Sequence, residues 1–238
     1  SRIAANVIGE INGLVSNGTK EVILAGINTG TYGQDLGNIN LAKLIERIME
    51  ETKIYRLRLS SIELMEITEE LLSTLKKYEH RIANHLHIPI QGGSEAVLRR
   101  MNRKYTIAEN EAKINAIRKL FPDVALTTDI LAGFVGETEE EFNETICFIN
   151  KIKFYEMHVF PYSRREKTVA YHYDNIINPI EKKRRVGLLL ELNNKNAINY
   201  RNKFLNKELD VLIEREKNGY YYGHTSNYLE VCFKKDSK

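Results

Sequence analysis

Cysteine is scarce in this sequence of 238 residues, which contains only Cys147 and Cys232. The two lie far apart and follow no ligand spacing, which argues against a disulfide framework and against a zinc site. Long apolar runs are also missing, so we expect neither a membrane span nor a signal peptide in this sequence. A reducing, cytoplasmic setting is therefore the default expectation. The net charge of +3 is small and indicates no partner by itself.

The stretch from residue 85 to residue 106 combines a two-faced strand, a glycine turn and a basic helix. In a strand over residues 85–91, alternate side chains point to opposite faces. One face is aliphatic and the other carries imidazole, proline and amide groups: Leu86, Ile88 and Ile90 against His85, His87, Pro89 and Gln91. Such a strand is typical of a barrel wall with helices outside and a functional lumen inside. Gly92 and Gly93 end the strand, and Ser94 is placed to cap the next helix.

Strands alternate with helices over the first 204 residues, which predicts an α/β fold with a parallel sheet and right-handed crossovers. The predicted strands are 21–25, 54–59, 85–90, 125–131 and 156–162. The predicted helices are 4–15, 41–51, 68–77, one from 94, 106–121, 138–152 and 178–204. Two of these helices begin with capping boxes, Thr106 with Glu109 and Thr138 with Glu141.

The hydrophobic period changes from helical to two after residue 204. Short predicted strands at 208–214, 220–224 and 228–233 indicate a separate small β module over residues 205–238, so the first domain spans residues 1–204. This first domain begins on a helix, whereas parallel α/β domains usually begin on a strand. We therefore expect the sequence to be a piece that lacks its first β-strand.

The C-terminal ends of the predicted strands form the candidate site, because ligands of parallel α/β sheets gather there. All five ends are rich in Gly, Ser, Gln, Asp or charged residues: 26–28, 60–63, 91–94, 129–133 and 162–165. An ordinary lyase or hydrolase would need a nucleophile–base pair or a metal site there. His85, His87 and Asp129 are the candidates, but no ligand spacing supports them. The two histidines are more simply interpreted as interior residues. For Asp129 two interpretations remain, a site residue and a buried structural residue.

Other reactive residue types receive structural interpretations. The acidic run at 137–141 is interpreted as helix-start charge that favours the helix dipole. Cys147 and Cys232 are interpreted as small core residues.

Basic residues bunch at 99–104, 164–167 and 182–185. One such group is usually a solvated face, but three groups, two of them near the proposed open end of the barrel, favour contact with an RNA backbone. The candidate RNA-binding residues are Arg99, Arg100, Arg103, Lys104, Arg164 and Arg165. The tyrosines at 220–222 could stack on bases or simply belong to a β-rich strand.

Several segments together resemble the radical S-adenosylmethionine (SAM) tRNA methylthiotransferases. They are EVILAGINTGTYG, RLRLSSIE, HLHIPIQGGSEAVLRRMNRKYT, LTTDILAGFVGETEEEF and HVFPYSRREKT, in consistent order along the chain. HLHIPIQ followed by HVFPYS is most similar to the branch that acts on N6-threonylcarbamoyladenosine beside the anticodon. GHTSNYLEVCFK resembles the start of the family's TRAM module, a small RNA-binding β-barrel.

This resemblance implies a partial (βα)6 TIM-like barrel that binds SAM and a [4Fe–4S] cluster, acts on tRNA and receives electrons from a reductant protein. The cluster is held by a CxxxCxxC loop after the first strand, and cleavage of SAM gives a 5′-deoxyadenosyl radical; a second cluster on an N-terminal domain helps to deliver sulfur. The resemblance places Gly26 and Asn28 at SAM's amino-acid moiety and Ser60, Ser61 and Glu63 next to SAM. It places Gln91 and Ser94 at the ribose, Asp129 and Gly133 beside SAM, and the backbone around Phe160 and Tyr162 at the adenine.

The sequence departs from the family pattern in having no CxxxCxxC and no N-terminal cluster domain. Ser1-Arg2 resembles the tail of the cluster loop, which agrees with the expected loss of the first strand. Val135 stands where the family usually has proline, which weakens only the turn argument. We therefore expect this polypeptide by itself to hold no cluster and to have no turnover. The alternatives are a catalytically silent RNA-binding piece and a methylthiotransferase of the isopentenyladenosine branch.

Overall fold

The computed structural model describes residues 1–235, and these divide into two compact units. Unit 1 comprises Ser1–His87, Arg118–Ala125 and the described residues from Asn206 onward, and unit 2 comprises Ile88–Ile117 and Leu126–Leu205. The predicted boundary at residue 204 stays a prediction. The end of the predicted β module, residues 236–238, lies outside the described residues. None of the described helices is both long and apolar enough to cross a membrane.

Unit 1 contains the first three helices and strands and the antiparallel sheet. In chain order these are α1 (Ala4–Ser16), β1 (Glu21–Leu24), α2 (Leu41–Glu51), β2 (Arg56–Leu59), a 3-10 turn (Leu64–Glu66), α3 (Glu69–Lys77) and β3 (His85–His87). The antiparallel sheet is formed by the C-terminal residues of the chain, which come after unit 2 in the sequence. β1 and β2 are parallel, with Glu21 opposite Arg56 and Leu24 opposite Leu59. Ile45 and Ile48 of α2 and Leu57 of β2 are fully buried and belong to the core.

Unit 2 contains the remaining parallel strands and the long helix. Its elements are α4 (Glu95–Arg100), α5 (Ile107–Leu120), β4 (Ala125–Ala132), α6 (Glu139–Ile152), β5 (Glu156–Pro161) and α7 (Pro179–Asn202), of which α5 and β4 each have one end in unit 1. β4 and β5 are parallel, with Asp129 opposite His158. Residues 88–91 lie along β4, because the Ile88 and Gln91 N–H groups donate to the carbonyls of Thr127 and Asp129 at 2.9 and 2.8 Å.

The α/β class and the parallel pairing predicted from the sequence are confirmed, with differences at the strand ends. The strand predicted over 85–90 ends as regular structure at His87. Pro89 has no N–H to donate, and Gln91 adopts a left-handed φ of 72°, so the ladder cannot continue regularly. Leu86, Ile88 and Ile90 are buried as predicted, and His85 is buried in agreement with its interpretation as an interior residue.

The antiparallel sheet of the C-terminal part consists of β6 (Val211–Lys217), β7 (Tyr220–Thr225) and β8 (Glu230–Lys234), in that order. β6 begins three residues later than predicted, after an irregular stretch that includes Asn206 at a φ of 61°. Gly223 is essential to this sheet, because a Cβ there would lie 1.8 Å from the carbonyl oxygen of Leu212.

Both predicted capping boxes form: Thr138 accepts from the Glu141 N–H at 3.2 Å, and Thr106 and Glu109 make the corresponding pair of contacts.

Candidate functional site

In unit 1, the strand end after β1 opens into a cleft of about 860 Å³. Gly26 and Asn28 line it together with residues of α1 and β1. Both are exposed, so their backbone and amide groups are accessible. The cleft falls within the ordinary volume range of sites for small molecules.

The loop after β1 is fastened to the loop after β2. The hydroxyl oxygens of Thr29 and Ser60 lie 3.0 Å apart, and Thr29 is buried. Gly30 packs against Glu66 so closely that a Cβ would come within 2.1 Å of the Glu66 carboxylate. The predicted site residue Ser60 is thus engaged with its neighbour, whereas Ser61 is exposed. Glu63 is half-buried and has an interaction of its own.

In unit 2, two of the predicted residues hold structural contacts. The Ser94 hydroxyl, fully buried, donates to Glu144 at 2.6 Å and does not cap α4, although Ser94 occupies the N-cap position. The backbone of Gln91 makes two hydrogen bonds to β4. Its N–H donates to the Asp129 carbonyl, and its carbonyl accepts the Leu131 N–H at 2.9 Å. Its half-buried side chain is therefore directed by the left-handed backbone rather than by strand alternation.

Asp129 and His158 form a pair on adjacent strands, with 3.2 Å between carboxylate Oδ1 and imidazole Nδ1. The carboxylate orients the ring, while the His158 side chain stays 60% exposed. Phe160 lies two residues further along β5, packs edge-on to His158 at 6.4 Å between ring centres, and is 50% exposed. This face of β5 therefore offers an oriented imidazole beside an accessible aromatic ring. The sequence placed Asp129 and Phe160 at the site but gave His158 no role.

Gly133 and Tyr162 lie close to Lys182 of α7. Gly133 has a φ of 69°, and a Cβ there would lie 2.6 Å from the Lys182 Cγ, so this position requires glycine on both grounds. Lys182 donates to the Tyr162 carbonyl at 3.0 Å. Tyr162 is buried against Phe134, and its hydroxyl has no hydrogen-bond partner among the described residues.

The interpretation of the acidic run as helix-start charge is wrong for Glu137. Its side chain is 2% exposed, accepts the Gly133 N–H at 2.9 Å and pairs with Arg185 at 2.7 Å. Burial raises the Glu137 pKa above its ordinary value, and the Arg185 guanidinium opposes this rise. Glu139, Glu140 and Glu141 do lie in the first turn of α6 as expected. Glu137 instead fixes the turn that follows β4.

The candidate RNA-binding cations fall into two groups. Some are held by the protein itself: Arg100 pairs with Glu141 at 2.5 Å, Lys104 donates to Asn102 at 2.8 Å, and Arg164 donates to the carbonyls of Tyr171 and Tyr173. Arg103 also has an interaction. Arg99 and Arg165, by contrast, are exposed and have no side-chain partner among residues 1–235. In the third basic group, Arg184 and Arg185 pair with Glu139, Glu181 and Glu137.

The two cysteines do not fit a [4Fe–4S] cluster. The prediction that they are core residues is wrong, since both are exposed. Cys147 lies outside the buried stripe of α6, which runs through Phe142, Thr145, Phe148, Ile149 and Ile152, and Cys232 lies on β8. They belong to different units, and a cluster of this type takes cysteine thiolates grouped around it. The described residues therefore supply no cluster ligand set.

Comparison with known proteins defines the class. The family model described as "Radical SAM superfamily" matches residues 1–149, and the chain belongs to this superfamily, whose members use SAM and an iron–sulfur cluster. Among solved structures, coproporphyrinogen III oxidase (HemN) from Escherichia coli superposes with a TM-score of 0.60 at 15% identity, over 81% of this chain and 46% of that one. Methylornithine synthase (PylB) gives a TM-score of 0.53 at 18% identity, over 81% and 54%. These likenesses confirm the predicted fold.

Curated relatives narrow the resemblance to the tRNA methylthiotransferases. The Bacillus subtilis (strain 168) protein named threonylcarbamoyladenosine tRNA methylthiotransferase MtaB is 41% identical over 98% of this chain and 53% of its own length. The Thermotoga maritima protein of the same name is 37% identical, over 84% and 46%. A tRNA-2-methylthio-N(6)-dimethylallyladenosine synthase from Thermoanaerobacter sp. (strain X514) is 36% identical, over 90% and 45%. The predicted resemblance is confirmed, and the chain spans about half the length of these relatives.

Proposed function

We propose that the protein carrying this chain adds a methylthio group to N6-threonylcarbamoyladenosine beside the tRNA anticodon. The observation that carries the proposal is the 41% identity to the Bacillus subtilis protein over 98% of the chain. The isopentenyladenosine branch is the alternative, supported by 36% identity to the Thermoanaerobacter protein. A reductant protein as electron donor and a cytoplasmic setting belong to the same proposal.

Within this proposal the chain binds and orients SAM, which supplies the methyl group when bound. In unit 1, the exposed Gly26 backbone and Asn28 amide are available for the amino-acid moiety, and Ser61 is accessible nearby on the next strand end. In unit 2, Phe160 offers an aromatic surface for adenine, and Asp129 fixes the imidazole of His158 beside it. The Ser94 hydroxyl can bind the ribose only if its hydrogen bond to Glu144 breaks.

A catalytically silent RNA-binding role is the second candidate. The observation that favours it is the presence of only two cysteines, both exposed, in a chain whose class uses a cluster. Both candidates require RNA binding, which can be measured on the chain itself. The candidate surfaces include the free cations of unit 2 and the β6–β8 sheet, where Arg215 lies 4.7 Å over the Tyr222 ring.

Arg99 and Arg100 are neighbours in α4 that we expect to behave differently in RNA binding. Arg99→Gln is expected to weaken binding of an anticodon stem-loop and to reduce the slope of log K against log salt by about one, because its charge is free to meet a phosphate. Arg100→Gln is expected to leave the slope unchanged and to lower thermal stability, because Glu141 already neutralises that guanidinium. Fluorescence anisotropy over a salt series gives both slopes.

The same salt series also gives the results that would contradict the proposal. If Arg99→Gln keeps the same slope of log K against log salt as the unmodified chain, Arg99 is a solvated surface residue that does not contact the RNA. Salt-independent or absent binding by the unmodified chain contradicts an RNA partner altogether.

A further inference from the structure

Residues 163–178, which lead from the end of β5 to α7, contain one regular element, a 3-10 turn at Val169–His172. Arg164 holds this segment together by donating to the carbonyls of Tyr171 and, at 3.2 Å, Tyr173. The Thr168 hydroxyl donates to the Arg165 carbonyl at 2.7 Å, closing the turn between them. The loop is therefore preorganised by its own side chains.

The same loop is anchored at the C-terminal ends of β4 and β5. Its Ala170 and Tyr173 pack against a buried cluster formed by Val97, Phe134, Val135 and Tyr162. The carbonyl of Asn175 accepts the Gly136 N–H at 3.0 Å, next to the turn that Glu137 fixes. The loop thus lies at the end of the sheet where ligands of α/β folds bind.

Apolar and aromatic side chains remain exposed on this loop. Val169 is 74% exposed, Ile176 49% and Tyr171 36%. The Arg164 guanidinium lies 4.9 Å from the Tyr171 ring centre, and the His172 ring packs edge-on to it at 5.5 Å. An aromatic ring held in place beside a guanidinium and still open to solvent has the properties of a stacking surface for an unpaired base.

The charges around this ring are mixed. Arg165 and Lys167 are exposed and unpartnered within residues 1–235, while Glu166 and Asp174 are exposed carboxylates of the same loop. A uniformly basic surface would bind RNA by phosphate contacts alone. Here at most one or two phosphates can be met, so the ring has to supply most of the binding energy at this point.

We infer that Tyr171, supported by Arg164, is a stacking platform for one unpaired base of an RNA, and that Arg165 contacts a phosphate beside it. This inference rests on the proposed function, which makes RNA the partner. It assigns Arg164 to the support of the ring rather than to the RNA backbone, and it adds Tyr171 to the residues that meet the substrate.

The test uses the full 238-residue chain and two RNA probes, a fluorescein-labelled anticodon stem-loop and a single strand containing 2-aminopurine. Tyr171→Ala is expected to weaken binding about tenfold and to abolish quenching of 2-aminopurine, because one base–aromatic stack is lost. The slope of log K against log salt stays unchanged in this variant, since no phosphate contact is removed. Tyr171→Phe, which keeps the ring, binds and quenches as the unmodified chain does.

Two further variants make the result specific. Arg165→Gln lowers the salt slope by about one and leaves the quenching intact. Tyr55→Ala removes a comparably accessible tyrosine, 50% exposed in unit 1, and changes neither quantity. Circular dichroism checks that each variant is folded.

The inference is overturned if the unmodified chain binds RNA while Tyr171→Ala binds with the same affinity and the same quenching. It is also overturned if Tyr171→Phe loses as much as Tyr171→Ala, because the hydroxyl would then be the contact. Failure of the unmodified chain to bind either RNA contradicts the proposed function itself, and the two failures are thereby distinguishable.

Discussion

Glu21→Gln is expected to lower the free energy of unfolding of unit 1 by about 3 kcal/mol, because it leaves two buried guanidinium groups without a carboxylate. Glu21 lies 2.6 Å from Arg56 and 2.7 Å from Arg58, whose side chains are only 5% and 4% exposed. Burial already lowers the pKa of Arg56, which shows the cost of holding this charge away from water. Chemical denaturation followed by circular dichroism gives the free energy.

The same two arginines join the C-terminal sheet to β2. Arg58 donates to the carbonyls of Thr225 and Ser226 at 3.4 Å, and Arg56 donates to that of His224 at 3.3 Å. Tyr228 stacks on His85 at 4.3 Å. Glu21→Gln is therefore expected to speed amide hydrogen exchange in β7 and β8 as well as in β1.

The matched control is Glu230→Gln, which breaks an ion pair with Arg215 whose two side chains are each 61% exposed. A change of at most about 1 kcal/mol is expected there, because water and salt screen such a pair. Equal stability changes in Glu21→Gln and Glu230→Gln would show that the Glu21 carboxylate is not what stabilises unit 1.

Arg185→Met is expected to destabilise unit 2 by about 3 kcal/mol at neutral pH, because it leaves the Glu137 carboxylate buried without its cation. The side chains of Arg185 and Glu137 are 4% and 2% exposed, and Arg185 also donates to the Glu137 carbonyl at 2.9 Å. Chemical denaturation at several pH values measures the loss. Arg184→Met is the control, since Arg184 is 44% exposed, and at most about 1 kcal/mol is expected there.

The loss in Arg185→Met should depend on pH in a defined direction. The folded-state pKa of Glu137 is already raised by burial, so protonation favours the folded state. Without Arg185 this pKa rises further, and the destabilisation is full above the raised pKa. It diminishes as the pH falls through that value toward the ordinary pKa of 4.5. A deficit that stays constant over this interval would contradict the assignment of the effect to Glu137.

Local sequence patterns predicted much of the fold because they encode local physics. The capping pairs Thr106–Glu109 and Thr138–Glu141 are three residues apart and satisfy the helix N-terminus directly. The α/β class followed from alternating apolar periods. Cys147 was misplaced because its helical position, and not its residue type, decides which side of α6 it occupies.

Long-range pairings were beyond sequence patterns. Arg185 meets Glu137 across 48 residues, and Arg58 meets the Thr225 carbonyl across 167. Neither has a spacing that periodicity can detect. The same holds at the site: the sequence placed Asp129 and Phe160 at strand ends, but the Asp129–His158 pair depends on the register of β4 against β5. Charge clusters likewise did not reveal that Arg100 pairs with Glu141, whereas the Arg99 side chain has no partner among residues 1–235.

Analysis of tRNA nucleosides by mass spectrometry tests the proposed function most directly. The complete open reading frame that contains this chain is expressed in a strain that lacks its own enzyme for 2-methylthio-N6-threonylcarbamoyladenosine, with an empty vector as control. Threonylcarbamoyladenosine is expected to gain a methylthio group in place of one hydrogen only when the gene is present. An unchanged nucleoside profile, or a methylthio group found on isopentenyladenosine alone, would contradict it.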